Sequence, residues 1–196
     1  MVRFLTLSWN DIMSLTIKLS FKLIESNYLP DTLVGILRGG WIITRLLSDF
    51  LSIDSVDVVG VKFYKGVEER HEKPVVTHPL ISDVSGKKVL IVDDVADSGR
   101  TLQTAVELVQ LYNPKEVRTA SLYVKPRSVI VPDYYVSKTD AWIVFPWEYA
   151  ETLRNLMRSR GVLPRKDELL LIADEVGLKG YEFIDDLVSL VITSIK

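Results

Sequence analysis

The chain has 196 residues, enough for one α/β domain and a modest appendage. Hydrophobic residues make up 47% of it, so a sizeable core can be buried, and 24 basic against 26 acidic residues leave a formal charge of -2. That balance gives no support to bulk electrostatic binding of nucleic acid or of an anionic membrane, and the lack of cysteine excludes a disulfide framework and thiol catalysis. The opening "MVRFLTLSWND" has no apolar stretch followed by a small-residue cleavage site. No apolar run approaches the ~20 residues of a membrane span, so the expectation is a soluble cytoplasmic chain.

In chain order, "TLSWNDIMSLTIKLSFKLIESNYLPD" predicts a helix. Ser8 is placed to cap it with Asp11 as reciprocal partner, and Ile12, Leu15, Leu19, Leu23 and Ile24 share a face at helical spacing. Asn27 and Pro30 stop it. "TLVGIL" predicts a short apolar strand that ends at Arg38-Gly39-Gly40, with a second helix from near Trp41. "SVDVVGVKFY" is rich in strand formers, and "KGVEERHEK" then leads to an extended "PVVTHPL". The segment reads as a hairpin or a loose loop, and its size and charge suit a mobile flap, about 62–79, better than a packed element. "KKVLIVDD" is the clearest strand, apolar without interruption and so suited to burial on both faces of a parallel sheet.

"GRTLQTAVELVQLYN" predicts a helix, "EVRTASLYVKP" a strand, and "PDYYVSKTDAWIVFPWE" an aromatic-rich extended segment. From about Ala150 the pattern becomes helical, with breaks at 161–164 and 177–180. The expected class is therefore α/β: a mostly parallel sheet flanked by helices, with a helical C-terminal appendage. The expected division is 1–149, including a hood of about 126–149, and 150–196.

The stretch "VLIVDDVADSGRTL" carries the chemistry. Ligands of open α/β sheets sit at the carboxyl ends of strands, where Asp93 and Asp94 fall. Two adjacent carboxylates repel unless donors or a cation meet them. A sugar diol supplies donors; a magnesium-bound substrate supplies charge. "ADSGRT" then opens a helix whose unpaired N–H groups favour an anion, with Gly99 permitting tight curvature and Ser98 and Thr101 adding hydroxyls. Together these point to a sugar phosphate. The plainer alternative is a solvated turn in which Asp97 or Ser98 caps the helix. The other phosphate motifs, G-x-x-x-x-G-K-[ST] and G-x-G-x-x-G, are absent.

The same stretch resembles the phosphoribosyl-pyrophosphate (PRPP) motif of the type I phosphoribosyltransferases. "GILRGG" stands where that family has its pyrophosphate loop. "LRGG", "VKP" and "AWIVFPW" resemble features of the xanthine–guanine branch, and the likeness runs from about Leu7 to Tyr149. The resemblance implies that Asp93 and Asp94 hold the ribose hydroxyls and that Asp94 helps position Mg²⁺. It assigns the 5′-phosphate to the loop from Ala96 and Asp97 through Ser98, Gly99, Arg100 and Thr101, and pyrophosphate to Leu37, Arg38, Gly39 and Gly40. A cis peptide is common in this second loop. Arg100 and Leu37 depart from the family pattern. Leu37 replaces a polar residue, so its contribution is expected from backbone.

Lys125, just after a strand, is a donor only; in the family's place it suits O6 of a 6-oxopurine rather than an adenine amino group. Alone it would read as a snorkelling surface lysine. Trp142 would stack on the base and the Ile143 carbonyl accept from its edge, while Phe145, and with it Trp147, read as core. Glu148 is a second acidic candidate for metal or base. Asp97 is the expected general acid/base at purine N7. In the flap, Lys62, Tyr64, Lys65 and Arg70 are candidates for reaching pyrophosphate; His71 and His78 read as solvated flap residues rather than a zinc site.

The implied activity is Mg²⁺-dependent purine salvage with PRPP and a purine base as substrates. The implied assembly is a homodimer or homotetramer, without nucleic acid or membrane partners. Two alternatives stand beside it. One is a PRPP-sensing regulator, since "ELLLIADEVGLKGYEFIDDLV" loosely resembles a helix-turn-helix; however, 161–196 carries four basic and seven acidic residues, which phosphates repel. The other is a transferase for another base such as adenine.

Overall fold

The computed structural model describes residues 2–64 and 73–194. By compactness the chain forms two units, Met13–Asp140 and Met1–Ile12 with Ala141–Lys196. This differs in kind from the division by role into 1–149 and 150–196, which remains a proposal.

The first of these units holds a six-stranded sheet ordered β4-β3-β2-β5-β6-β7. Its strands are β2 (Thr32–Leu37), β3 (Val56–Tyr64), β4 (Lys73–His78), β5 (Lys88–Ala96), β6 (Glu116–Val124) and β7 (Tyr134–Lys138). All neighbours run parallel except β3 and β4, which pair antiparallel. Parallel strands need long crossovers; α2 (Gly39–Leu51) and α3 (Arg100–Gln110) supply two of them. Alternation divides β2 between the layers. Val34 and Ile36 enter a core with Ile91, Leu102, Ala105 and Val109 on the α3 side, whereas Gly35 lies against Thr44 and Trp41 of α2.

Helix α1 (Trp9–Glu25) begins at the expected capping box: the Ser8 amide donates to Asp11 Oδ2 at 2.8 Å and the Asp11 amide to Ser8 Oγ at 3.2 Å. It ends with Asn27 at φ 56 and the Tyr28 amide on Leu23 O. Its buried face is Ile12, Thr16, Leu19, Ser20 and Leu23. Ile24, expected on that face, is 55% exposed, because the hundred-degree step from Leu23 carries it past the edge of the buried face. Helix α2 starts at Gly39 rather than near Trp41, so both glycines belong to its first turn. Strand β5 runs two residues past the acidic pair, held by Val95 opposite Tyr123 and Ala96 opposite Val124.

The other unit pairs β1 (Phe4–Thr6) with β8 (Trp142–Val144) in parallel. It adds α4 (Tyr149–Ser159), α5 (Lys166–Glu175) and α6 (Ile184–Thr193), whose apolar faces form one core around Leu153, Met157, Leu169, Ala173 and Val188. The Tyr149 hydroxyl donates to Leu7 O at 2.5 Å. Among the described residues, no helix is long and apolar enough to cross a membrane.

Candidate active site

Strands β2 and β5 are neighbours with Gly35 opposite Val92, so both chains leave the sheet side by side at their carboxyl ends. Each then turns straight into a helix that lacks a side-chain cap: α2 after Arg38, α3 after Gly99. Two helix starts, with their positive dipole ends, therefore lie beyond adjacent strands. The Leu37–Arg38 peptide is cis. The two loops touch through Gly40, where an added Cβ would sit 2.4 Å from Val92 O and 2.9 Å from Asp93 Cα. Only a residue without a side chain permits this approach.

Asp93 is 9% exposed and its Oδ1 accepts from the Asp94 amide at 3.0 Å; Asp94 Oδ1 accepts from the Val95 amide at 2.8 Å. Asp93, Ala96, Asp97, Ser98, Gly99 and Thr101 line a cavity of about 60 Å³, the scale of a small anion rather than a nucleoside. Gly99 turns the chain at φ 77, and a Cβ there would meet Ser128 Oγ at 2.4 Å and Ile130 N at 2.9 Å. Arg100 is exposed at the first position of α3. Ser98 Oγ accepts from the Arg100 amide only at 3.4 Å, so the capping alternative is weakly met, and Asp97 is engaged elsewhere. Both of its carboxylate oxygens accept from Arg127, Nε and Nη2 donating at 2.8 Å each. The sequence reading did not single out Arg127; the signal available was its place two residues after Lys125 in "KPRS".

Lys125 is 8% exposed, and its amide donates to Ala96 O at 3.0 Å, which fastens it at the start of the 97–101 loop. It is not a snorkelling surface lysine. Burial pulls its pKa below the ordinary lysine range, opposed by the charge of Asp97, reinforced by Arg127 and opposed again by Asp140.

In the other unit, Trp142 is 56% exposed while Ile143 is 7% exposed. Trp142 and Glu148 line a cavity of about 630 Å³ with Phe4, Glu151 and Asn155. Phe145 is 2% exposed and stacks on Trp147 at 4.8 Å, as core aromatics do. Of the segment expected as a flap, 62–64 and 73–78 are instead paired antiparallel in the sheet as parts of β3 and β4: Lys62 is exposed opposite Val75, Tyr64 is the last residue of β3, and His78 lies opposite Gly60. Lys65, Arg70 and His71 lie outside the described residues. Among the described residues, no group of three or more His, Asp or Glu side chains could hold a metal by itself.

A mostly parallel sheet with two helix-start loops beyond adjacent strands, one carrying an acidic pair, is an α/β arrangement suited to a phosphorylated sugar. The phosphoribosyl transferase domain family matches residues 7–152. A xanthine-guanine phosphoribosyltransferase of Gluconobacter oxydans is 32% identical over 163 residues, 82% of this chain and 94% of that protein. A solved purine phosphoribosyltransferase from Pyrococcus horikoshii matches with a TM-score of 0.68 at 43% identity, covering 74% of this chain and 93% of that one. A xanthine-guanine-hypoxanthine phosphoribosyltransferase from Helicobacter pylori matches at 0.66 and 25% identity, covering 79% and 99%. The chain belongs to the phosphoribosyl transferase domain family, in its purine branch.

Proposed function

We propose that this chain transfers the phosphoribosyl group of PRPP to N9 of a 6-oxopurine, releasing pyrophosphate and a nucleoside 5′-monophosphate, in a cytoplasmic salvage role. The observation that supports this is the close approach of the 37–40 loop to the acidic end of β5 at Gly40, which brings the two loops of the reading side by side. In this reading Asp93 and Asp94 accept from the ribose diol, the 97–101 backbone donates to the 5′-phosphate, and Leu37 to Gly40 hold the leaving pyrophosphate, with Arg38 adding charge. Lys125 donates to O6, Trp142 stacks on the ring, the Ile143 carbonyl accepts from the base edge, and Asp97 accepts the N7 proton. Fixing sugar and base together removes much of the entropic barrier.

Magnesium takes oxygen ligands and keeps several waters, so it needs one or two carboxylates rather than an all-protein cage; Asp94 suits it, with Glu148 a second candidate. When bound it would supply positive charge to the departing pyrophosphate. Residues 1–149 are assigned the transferase role and 150–196 an appendage. A homodimer or homotetramer fits the exposed row Met13, Ile17 and Phe21 on α1, which gives a second copy apolar surface to cover. Two readouts test the reaction: PRPP binding by calorimetry, and pyrophosphate release that depends on an added purine. Tight PRPP binding without base-dependent release would overturn transfer in favour of sensing.

A further inference from the structure

Arg127 stands at the third position of a β-turn that starts at Lys125. Pro126 presets the second position, and the Ser128 amide closes the turn on Lys125 O at 3.0 Å. The turn is fastened to the phosphate loop on both sides, Lys125 N–H to Ala96 O at 3.0 Å and Val129 N–H to Ser98 O at 2.9 Å. Ser128 and Ile130 also wall Gly99. Arg127 thus reaches Asp97 from a frame that cannot shift without moving the loop. Nε donates to Oδ1 and Nη2 to Oδ2, both at 2.8 Å, and Nη2 also lies 2.6 Å from Oδ1, so one guanidinium edge engages both oxygens and restrains the carboxylate, which a single donor would leave free to rotate. A carboxylate has about four lone-pair directions, so two remain for a ligand. The side chains are 69% and 48% exposed, so the pair adds little to stability; its consequence is orientation.

We propose that Arg127 is a positioning residue of this site: its fork holds the Asp97 carboxylate in the plane that receives the purine N7 proton. This rests on the reading of Asp97 as the acceptor at N7. The test compares Asp97→Asn, Arg127→Ala, Arg127→Lys and the Arg127→Ala/Asp97→Asn double variant in steady-state kinetics with PRPP and hypoxanthine, alongside thermal melting. Asp97→Asn should lower kcat strongly with the PRPP KM little changed. Arg127→Ala should lower kcat roughly tenfold, leave the PRPP KM and Tm as they are, and cost nothing further in the Asp97→Asn background. Arg127→Lys should not restore kcat, because an ammonium is a point donor and not a fork.

Additive losses in the double variant, full rescue by lysine, or a raised PRPP KM at unchanged kcat would each overturn the inference. If Asp97→Asn leaves kcat intact, the acceptor reading fails and takes the inference with it. If Asp97→Asn slows turnover and Arg127→Ala does not, only the inference fails.

Discussion

Replacing Gly40 by alanine tests the contact on which the site depends. The new Cβ would lie 2.4 Å from Val92 O, against an ordinary contact limit near 3.4 Å, so the start of α2 must retreat by about 1 Å. Gly40 is buried and has no positive φ, so alanine meets no backbone penalty there. It even gains up to ~1 kcal/mol of helix propensity, which partly offsets the ~1–3 kcal/mol typical of overpacking. The net loss is roughly 0–2 kcal/mol, a Tm drop of at most about 8 °C for a chain of this size. The functional cost is larger, because displacing reacting groups by about 1 Å lowers turnover on the order of 100-fold. The expected variant is therefore folded by circular dichroism, modestly less stable, and about 100-fold down in kcat/KM for PRPP. A Gly40→Ala protein within threefold of wild type would mean that the close approach of 37–40 to β5 does not set the site geometry.

Lys125 gives a charge-assisted hydrogen bond only while protonated, and burial lowers its pKa. The KM for hypoxanthine should thus rise with pH before the ordinary lysine range of about 10.4 is reached, and Lys125→Met should remove that dependence along with the preference over adenine. At Asp57, burial alone would raise the pKa, but amide donors from Ser82, Val58 and Ile81 outweigh it and hold the carboxyl low. A lowered folded-state pKa contributes stability above the unfolded value and loses it as pH falls through the folded value. Asp57→Asn should accordingly cost about 1–2 kcal/mol near neutrality and flatten the acid limb of a urea-melt series; an unchanged limb would contradict the assignment. Leu153 is fully buried among α4, α5 and α6, so Leu153→Ala should cost ~2–5 kcal/mol in denaturant unfolding if these helices share one core, and almost nothing if they do not.

The apolar runs of β2 and β5 were legible because burial on both sheet faces leaves no room for polar alternation. The Ser8–Asp11 box was legible because capping is a local pattern. What escaped shares one cause, dependence on partners distant in sequence. Strand β1 has three residues, too few to show a period, and exists through pairing with Trp142, Ile143 and Val144. Ile24 is apolar, and its type does not reveal that it lies more than half exposed beyond the buried face. The onset of α2 at two glycines runs against propensity and follows from the contact with β5. Among site residues, Asp93, Asp94 and the 97–101 loop stood in one contiguous motif. Arg127 acts across thirty residues, on a turn whose register against Ala96 and Ser98 only the folded chain sets.

The most direct measurement is product identity: incubation with PRPP, Mg²⁺ and, separately, hypoxanthine, guanine, xanthine and adenine, followed by chromatography of the nucleotides formed. The expected result is a 5′-monophosphate with hypoxanthine or guanine, equimolar pyrophosphate, and little or none with adenine. Equal use of adenine would contradict the base assignment, and no nucleotide with any of the four would contradict the transferase reading itself.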